Sequence, residues 1–368
     1  MNRLVVVPSD PIAEYEKAGY DWLERYFNPM SMFDEVIALS PLEQGERKAH
    51  GMTIRGVKDG QFKSLLNSLR PQVVRAYGGY WPSDFVARNR LADIPVVVSV
   101  HDSRPDLVHE SLRFADRVLC TSGIVQKQVL AQGVEQQRTR ILPNRIDMNI
   151  FAPVTDSGKI GEVAGKFPPG RHILHVGRKS EQKNLDTVIR ALKRLPEDYS
   201  CVFVGIGDRE PYVSIAREEG VAKRCFWVES VKNSELPAWY SWCDCLCTPS
   251  RWEGFGIVFI EAAACGAPIV TSDLAPMNEY LSADQSACLV REYENPEAIA
   301  LAIRKVCEDP SYRKKISEGA MKAAEPFDRK RVDESEVAIY REAMGLGSLS
   351  LPRRLDWMIW KRWGQHHG

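Results

Sequence analysis

The sequence predicts an α/β protein of two doubly wound domains, and three observations carry that expectation. Short apolar runs of strand length recur through each half and alternate with amphipathic segments of helical period, the pattern of a parallel sheet covered by helices on both faces. At 368 residues the chain exceeds what one hydrophobic core usually serves. Between the two series of strands, residues 152–171 hold Pro153, Gly158, Gly161, Gly165, Pro168, Pro169 and Gly170, a breaker-rich stretch expected to be linker and loop.

Composition narrows the function. Lys and Arg total 49, as do Asp and Glu, so the formal net charge is zero and no overall field argues for a nucleic-acid partner. With 44% hydrophobic and 27% charged residues the chain has the composition of a soluble globular protein, and no apolar run approaches a membrane span. The apolar part of residues 1–8 is too short for a signal peptide and is expected to be the first strand, which points to a cytoplasmic protein. The nine cysteines lie mostly within apolar runs, as reduced and buried thiols do. Cys243, Cys245 and Cys247 alternate like one face of a strand, but the distant second ligand pair of a zinc site is missing, so no metal is expected.

In the first half, strands are expected at residues 4–7, 36–39, 73–75, 96–100, 117–120 and 140–142, with helices including 15–26, 62–69 and 124–132. Ligands of such sheets bind beyond the carboxyl ends of the strands. After the first strand, residues 8–19 offer no phosphate-cradling glycine cluster. After the third come Ala76-Tyr77-Gly78-Gly79-Tyr80-Trp81, and the fourth delivers His101-Asp102 at its end.

The second half repeats the alternation, with strands expected at 172–176, 201–205, 225–228, 245–248, 268–271 and 287–290. Two similar domains make the cleft between them the natural site. Gly177-Arg178-Lys179-Ser180-Glu181-Gln182-Lys183-Asn184 follows the first of these strands and opens a helix near Asn184. Arg178 and Lys183 thereby stand where an anion gains from side-chain cations and free backbone N–H groups; the alternative is two solvated surface cations. Val204-Gly205-Ile206-Gly207-Asp208 is a turn after a strand that lacks the third glycine of a dinucleotide fingerprint. Glu253 precedes Gly254-Phe255-Gly256, where a ligand can approach the backbone closely, and Ile257 opens a mostly apolar helix that Gly266 and Pro268 end. On that helix Glu261 shares a face with Ile257 and Cys265, so a carboxylate falls on a buried stripe and needs donors. Taken singly, Glu253 is better read as an ordinary loop acid and Glu261 as a side chain that reaches solvent.

Glu253 and Glu261 have E-x7-E spacing, with G-F-G between them and E-A-x-A-x-G-x-P-I-V from Glu261 onward. This resembles the signature of the retaining nucleotide-sugar glycosyltransferases of the GT-B fold, the large family four. Gly177–Asn184 is similar to that family's G-R-x(4)-K-N element, and Val100-His101-Asp102 to its V-H-D. Residues 141–147 resemble its strand-Pro-Asn-Gly-x-Asp turn, with Arg145 in place of glycine, so that Asn144 and Asp147 match. The family's glycine pair after the first strand has no counterpart here beyond Gly19.

The resemblance implies two Rossmann-like domains facing across a cleft: residues 1–152 on the acceptor side, 170–330 binding the nucleotide sugar, and 331–368 as helices crossing back to the first domain. It implies transfer of a glycosyl group from a UDP- or GDP-sugar to a hydroxyl acceptor, with retention and with neither metal nor other cofactor. Glu253 would hold sugar hydroxyls, the backbone of Gly254, Phe255, Gly256 and Ile257 would contact sugar or phosphate, and Glu261 would accept from the nucleotide ribose. Arg178 and Lys183 would neutralise the leaving diphosphate, Gly177 and Gly205 would line the nucleotide, and His101 would touch the transferred sugar. The aromatics at 77–81 either stack on a sugar ring or pack beneath a loop. Other activities on this fold are an epimerase, a phosphorylase or a non-catalytic sugar-nucleotide sensor. Glycoside hydrolysis fits less well, because no second carboxylate pair is evident.

The chain closes with a helical segment at 331–344, a Gly/Ser break, and Trp357, Trp360 and Trp363 at every third residue, expected to line one helical face with Arg354, Lys361 and Arg362 mostly opposite. That stripe is core if the helix crosses back, or a contact with an anionic membrane surface if it does not.

Overall fold

The computed structural model describes residues 2–17, 23–347 and 349–364. The chain forms two compact units, residues 1–143 with 330–368, and residues 144–329. In chain order the first unit contains β1 (Arg3–Val7), α1 (Ile12–Lys17), α2 (Leu23–Phe27), β2 (Glu35–Ser40), β3 (Glu46–Ala49), β4 (Met52–Gly56), α3 (Asp59–Leu69), β5 (Val73–Tyr77), α4 (Trp81–Asn89), β6 (Val96–Val100), β7 (Arg117–Cys120), α5 (Gly123–Ala131) and β8 (Thr139–Ile141). Its sheet runs β3-β4-β2-β1-β5-β6-β7-β8. All pairings are parallel except β3 with β4. The central strands β5 and β6 are buried along their whole length, as strands covered on both faces must be.

Among the described residues eight strands replace the six expected. The two additional ones lie toward the sheet edge, where the apolar signal is weakest: β3 is Glu46-Arg47-Lys48-Ala49, a charged edge strand, and β4 buries only Met52 and Ile54. The glycine-aromatic stretch is also not a plain loop. It turns into α4, with Pro82 in the first turn where its missing N–H costs nothing. Tyr77 is buried and the Trp81 Nε1 donates to the Ser9 carbonyl at 3.1 Å, so these two rings pack rather than wait for a ligand. The helix expected over 15–26 is seen as α1 and α2; Gly19 lies outside the described residues.

The second unit contains α6 (Ser157–Ala164), β9 (Arg171–Val176), α7 (Leu185–Leu192), β10 (Tyr199–Val204), α8 (Glu210–Glu218), β11 (Cys225–Val228), α9 (Leu236–Trp242), β12 (Cys245–Cys247), α10 (Ile257–Ala264), β13 (Ile269–Ser272), α11 (Met277–Tyr280), β14 (Cys288–Val290), α12 (Pro296–Glu308) and α13 (Pro310–Ala324). Its six strands are all parallel, in the order β11-β10-β9-β12-β13-β14. The stretch expected to be linker holds α6. Asp156 caps it, accepting from Gly158 N at 2.9 Å, and Val163 is buried in the unit's core; cap and burial outweigh the roughly 1 kcal/mol that each internal glycine costs. The three alternating cysteines do not share a face. Cys243 ends α9 in one core cluster, while Cys245 and Cys247 lie on β12 in another, on the opposite side of the sheet.

Two last helices, α14 (Arg329–Met344) and α15 (Leu351–Trp363), belong almost entirely to the first unit. Helix α14 packs Val332, Ile339 and Tyr340 with Leu4 and Val6, and its Glu336 meets the buried Arg75 of β5 at 3.2 Å. On α15, Trp360 is buried with Ala87 and Phe114 and donates to Glu110 at 2.7 Å; Trp357 donates to the Ala87 carbonyl at 2.8 Å. Trp363 is 75% exposed. The three tryptophans thus do not form one face, because three residues at about 100° each fall about 60° short of a full turn and the drift accumulates. Among the described residues no helix is long and apolar enough to cross a membrane.

Candidate functional site

Strand β9 ends at Val176, and the chain then runs through Gly177 and Arg178 into a single 3-10 turn, Glu181–Lys183, before Asn184 starts α7 in the left-handed region. Asn184 is fully buried, and its Nδ2 donates to the carbonyls of Pro249 and Tyr293, both at 2.9 Å. These bonds tie the loop after β9 to the loop after β12, and so bring Lys183 to Glu253. The Lys183 stem passes over Gly177, where a Cβ would stand 3.1 Å from its Cδ and Cε. Its ammonium donates to Glu253 Oε1, which also accepts from Ser250 Oγ at 2.8 Å. Gln182 Nε2 donates to the other oxygen at 3.3 Å and to the Trp252 carbonyl at 2.9 Å. Both charges are almost wholly buried, and in that setting neither is tolerable without the other. Lys183 and Glu253, given separate roles by their motifs, are therefore one unit.

Arg178 differs in kind. It is exposed, and its described contact is a long one, 3.5 Å to Gln182 Oε1. The adjacent Lys179 is buried and donates to the carbonyls of Gly205 and Val228, at the ends of β10 and β11; burial lowers its pKa. Gly205 abuts Gly177 so closely that a Cβ would lie 2.0 Å from the Gly177 oxygen, which leaves glycine as the residue that fits. Beneath this loop the buried His175 donates through Nε2 to the Lys183 carbonyl at 3.0 Å, and burial drops its pKa to about 4, so it is neutral at pH 7.

The turn after Glu253 is built around Phe255, whose ring lies between those of Tyr280 and Phe327, with centroids at 5.3 and 5.4 Å. Its carbonyl accepts from the Tyr280 hydroxyl at 2.6 Å. Gly256 has φ 80° and a virtual Cβ 2.6 Å from the Phe259 ring, so both conformation and space demand glycine before Ile257 opens α10. One helical turn on, Glu261 is buried and takes no part in the Lys183 network. Its Oε2 accepts from the Tyr240 hydroxyl of α9 at 2.9 Å, and burial raises its carboxyl to about 7 against the lowering effect of that bond.

The structure thus brings together Gly177, Lys183 and Glu253, borders them with Arg178 and Gly205, and holds Glu261 by separate means. His101 belongs to the first unit, where it follows β6, exposed, with its ring stacked on Tyr77 at 6.5 Å and 16°. Asp147, in the second unit, is held by Arg329 at 3.0 Å. Three site residues escape sequence reasoning. Gln182 and Ser250 sit within three residues of Lys183 and Glu253, so proximity was an available signal; Tyr240 lies on another helix and has none.

Residues 158–323 match the family model described as glycosyl transferases group 1, and residues 57–150 match glycosyltransferase family 4. D-inositol 3-phosphate glycosyltransferase of Kribbella flavida is 26% identical over 348 residues, spanning 80% of this chain and 81% of that protein. Among solved structures, sucrose-phosphate synthase from Thermosynechococcus elongatus superposes with TM-score 0.76 at 17% identity, covering 94% of this chain and 100% of the other. HepE from Anabaena, solved with UDP-glucose, gives TM-score 0.75 at 17% identity over 93% of this chain and 100% of the other.

Proposed function

Because this chain belongs to the group 1 glycosyltransferases of family four and has the GT-B fold, we propose that it transfers a glycosyl group from a nucleotide diphosphate sugar to an acceptor hydroxyl with retention of anomeric configuration. The observation that carries this is the buried Lys183–Glu253 pair, braced by Ser250 and Gln182, beside the exposed Arg178 at a strand end. A diphosphate meets two cations there, one exposed and one buried in an ion pair, which supplies the charge neutralisation that a metal would otherwise give. Glu253 is held rigidly with lone pairs left for sugar hydroxyls, and the backbone of Gly254, Phe255, Gly256 and Ile257 faces the same ligand. Glu261 accepts from the ribose, and His101 touches the transferred sugar.

The donor is a UDP- or GDP-sugar; UDP is favoured by the HepE structures, solved with UDP and with UDP-glucose. The acceptor is a sugar, lipid-linked glycan or small molecule, which places the reaction in glycan, glycolipid or glycoside biosynthesis. Nine free, buried cysteines suit a reducing cytoplasm.

Incubation with UDP- and GDP-sugars, with release of nucleoside diphosphate as readout, tests the proposal. Glu253→Gln should mainly depress kcat, and Glu261→Gln should mainly weaken donor and free nucleotide binding. Absence of nucleoside diphosphate binding by calorimetry would overturn it.

A further inference from the structure

We propose that α15 holds the protein against an anionic lipid bilayer, through the face turned away from the first unit rather than through the tryptophans. This stands apart from the donor chemistry above. Leu351, Leu355, Met358, Ile359 and Trp363 are each between 50% and 75% exposed. At about 100° per residue their spacing gathers them into one broad stripe, roughly half a turn from Arg353, Trp357 and Trp360. The inner three are pinned by directional bonds, to Asp116 and the carbonyls of Ala115 and Ala87 and to Glu110, so the helix cannot roll to hide its outer face. Single exposed apolar residues are ordinary, but five in a continuous stripe on a helix are not.

Charge selects the occupant. Arg362 lies within the stripe, and Arg354 and Lys361 flank it on one side, where Lys63 and Arg88 of the same unit add to the positive field around Lys361 and Asp59 opposes it. Asp356 is the acidic residue of the helix itself. Two copies meeting through this face would set these cations against each other, whereas anionic headgroups would neutralise them while the apolar stripe enters the acyl boundary. A 13-residue helix is too short to span the hydrocarbon core and is suited to lie in its plane.

Flotation of the full chain with vesicles tests this. Wild type should float with phosphatidylglycerol-phosphatidylcholine vesicles, and about tenfold or more weakly with phosphatidylcholine alone or at high salt. Leu355→Glu with Ile359→Glu should lose flotation by about tenfold or more at an unchanged melting temperature. Arg354→Glu with Arg362→Glu, which spares the apolar stripe, should abolish the preference for anionic vesicles. The proposal is overturned if wild type floats with neither vesicle, if the Leu355/Ile359 variant floats as wild type does, or if lipid-free sedimentation shows a dimer that this variant abolishes, which would assign the face to a second copy.

Discussion

Glu253 and Glu261 stand on one short stretch, both buried, and are held by opposite means. Glu253 faces an ammonium, a hydroxyl and an amide, all donors to its charged form. Glu261 faces a single phenol, and burial raises its carboxyl to about 7. The first is tied into an ion pair and the second is a carboxylate poised to change protonation, so the partner, more than the residue type or the spacing, decides what each can do. In the proposed reaction a firmly held carboxylate suits the transferred sugar, and an under-supplied acceptor suits a ribose that brings its own hydroxyl donors.

The sharpest way to break this contrast is to remove the cation. Lys183→Ala leaves Glu253 buried and unpaired and should cost about 3–5 kcal/mol in denaturant unfolding, while the double variant Lys183→Met/Glu253→Gln should recover most of it. A single variant as stable as wild type would show that the pair is not a structural unit.

Glu261 should behave in the reverse sense. Folded, its carboxyl keeps a proton up to about pH 7; unfolded, only to the ordinary 4.5. The folded state therefore holds the extra proton between those values. Stability from this group is full below pH about 4.5 and declines as pH rises to about 7, by on the order of 3 kcal/mol. Glu261→Gln should flatten that decline and be more stable than wild type at pH 8, yet lose roughly 1–3 kcal/mol of nucleotide affinity. An unaltered pH profile in the variant would refute the assignment.

Arg178→Ala sharpens the comparison from the ligand side. An exposed arginine with one long contact should leave unfolding within about 0.5 kcal/mol of wild type and still cost about 1.5–3 kcal/mol in nucleoside diphosphate binding by calorimetry. Equal affinity would remove it from the site. The smallest effect belongs to Tyr240→Phe. Loss of one buried hydrogen bond should cost about 1 kcal/mol and push the Glu261 titration higher, moving the upper end of the pH decline with it; a downward movement would contradict the hydrogen bond's role.

What was legible in the sequence follows the same physics. The central strands of both sheets were readable because burial on two faces forces continuous apolar runs such as Val96-Val97-Val98. Strand β3 was not, since an edge strand is written in the same charged residues as a loop. Helix α6 was hidden by its glycines, which a cap and one buried valine override. At the site, Lys183, Glu253 and Glu261 were recognisable from local motifs, but the direct bond between Lys183 and Glu253, and the Tyr240 bond to Glu261, join residues distant in the chain and depend on how loops and helices meet. The tryptophan stripe misled because spacing by three resembles a helical period closely enough over two residues and fails at the third.

The first unit is written in two pieces, residues 1–143 and 330–368, with the whole second unit between them. During synthesis its eight-stranded sheet leaves the ribosome without α14 and α15. At about 5–20 residues per second the intervening unit takes on the order of ten to forty seconds to appear. For that interval Arg75 has no Glu336 and the cluster around Leu4 and Val6 lacks Val332, Ile339 and Tyr340. The second unit, contiguous in sequence, can complete its core as soon as it emerges. The half of the protein made first is thus the half finished last, and a chain that stops early carries an incomplete first unit.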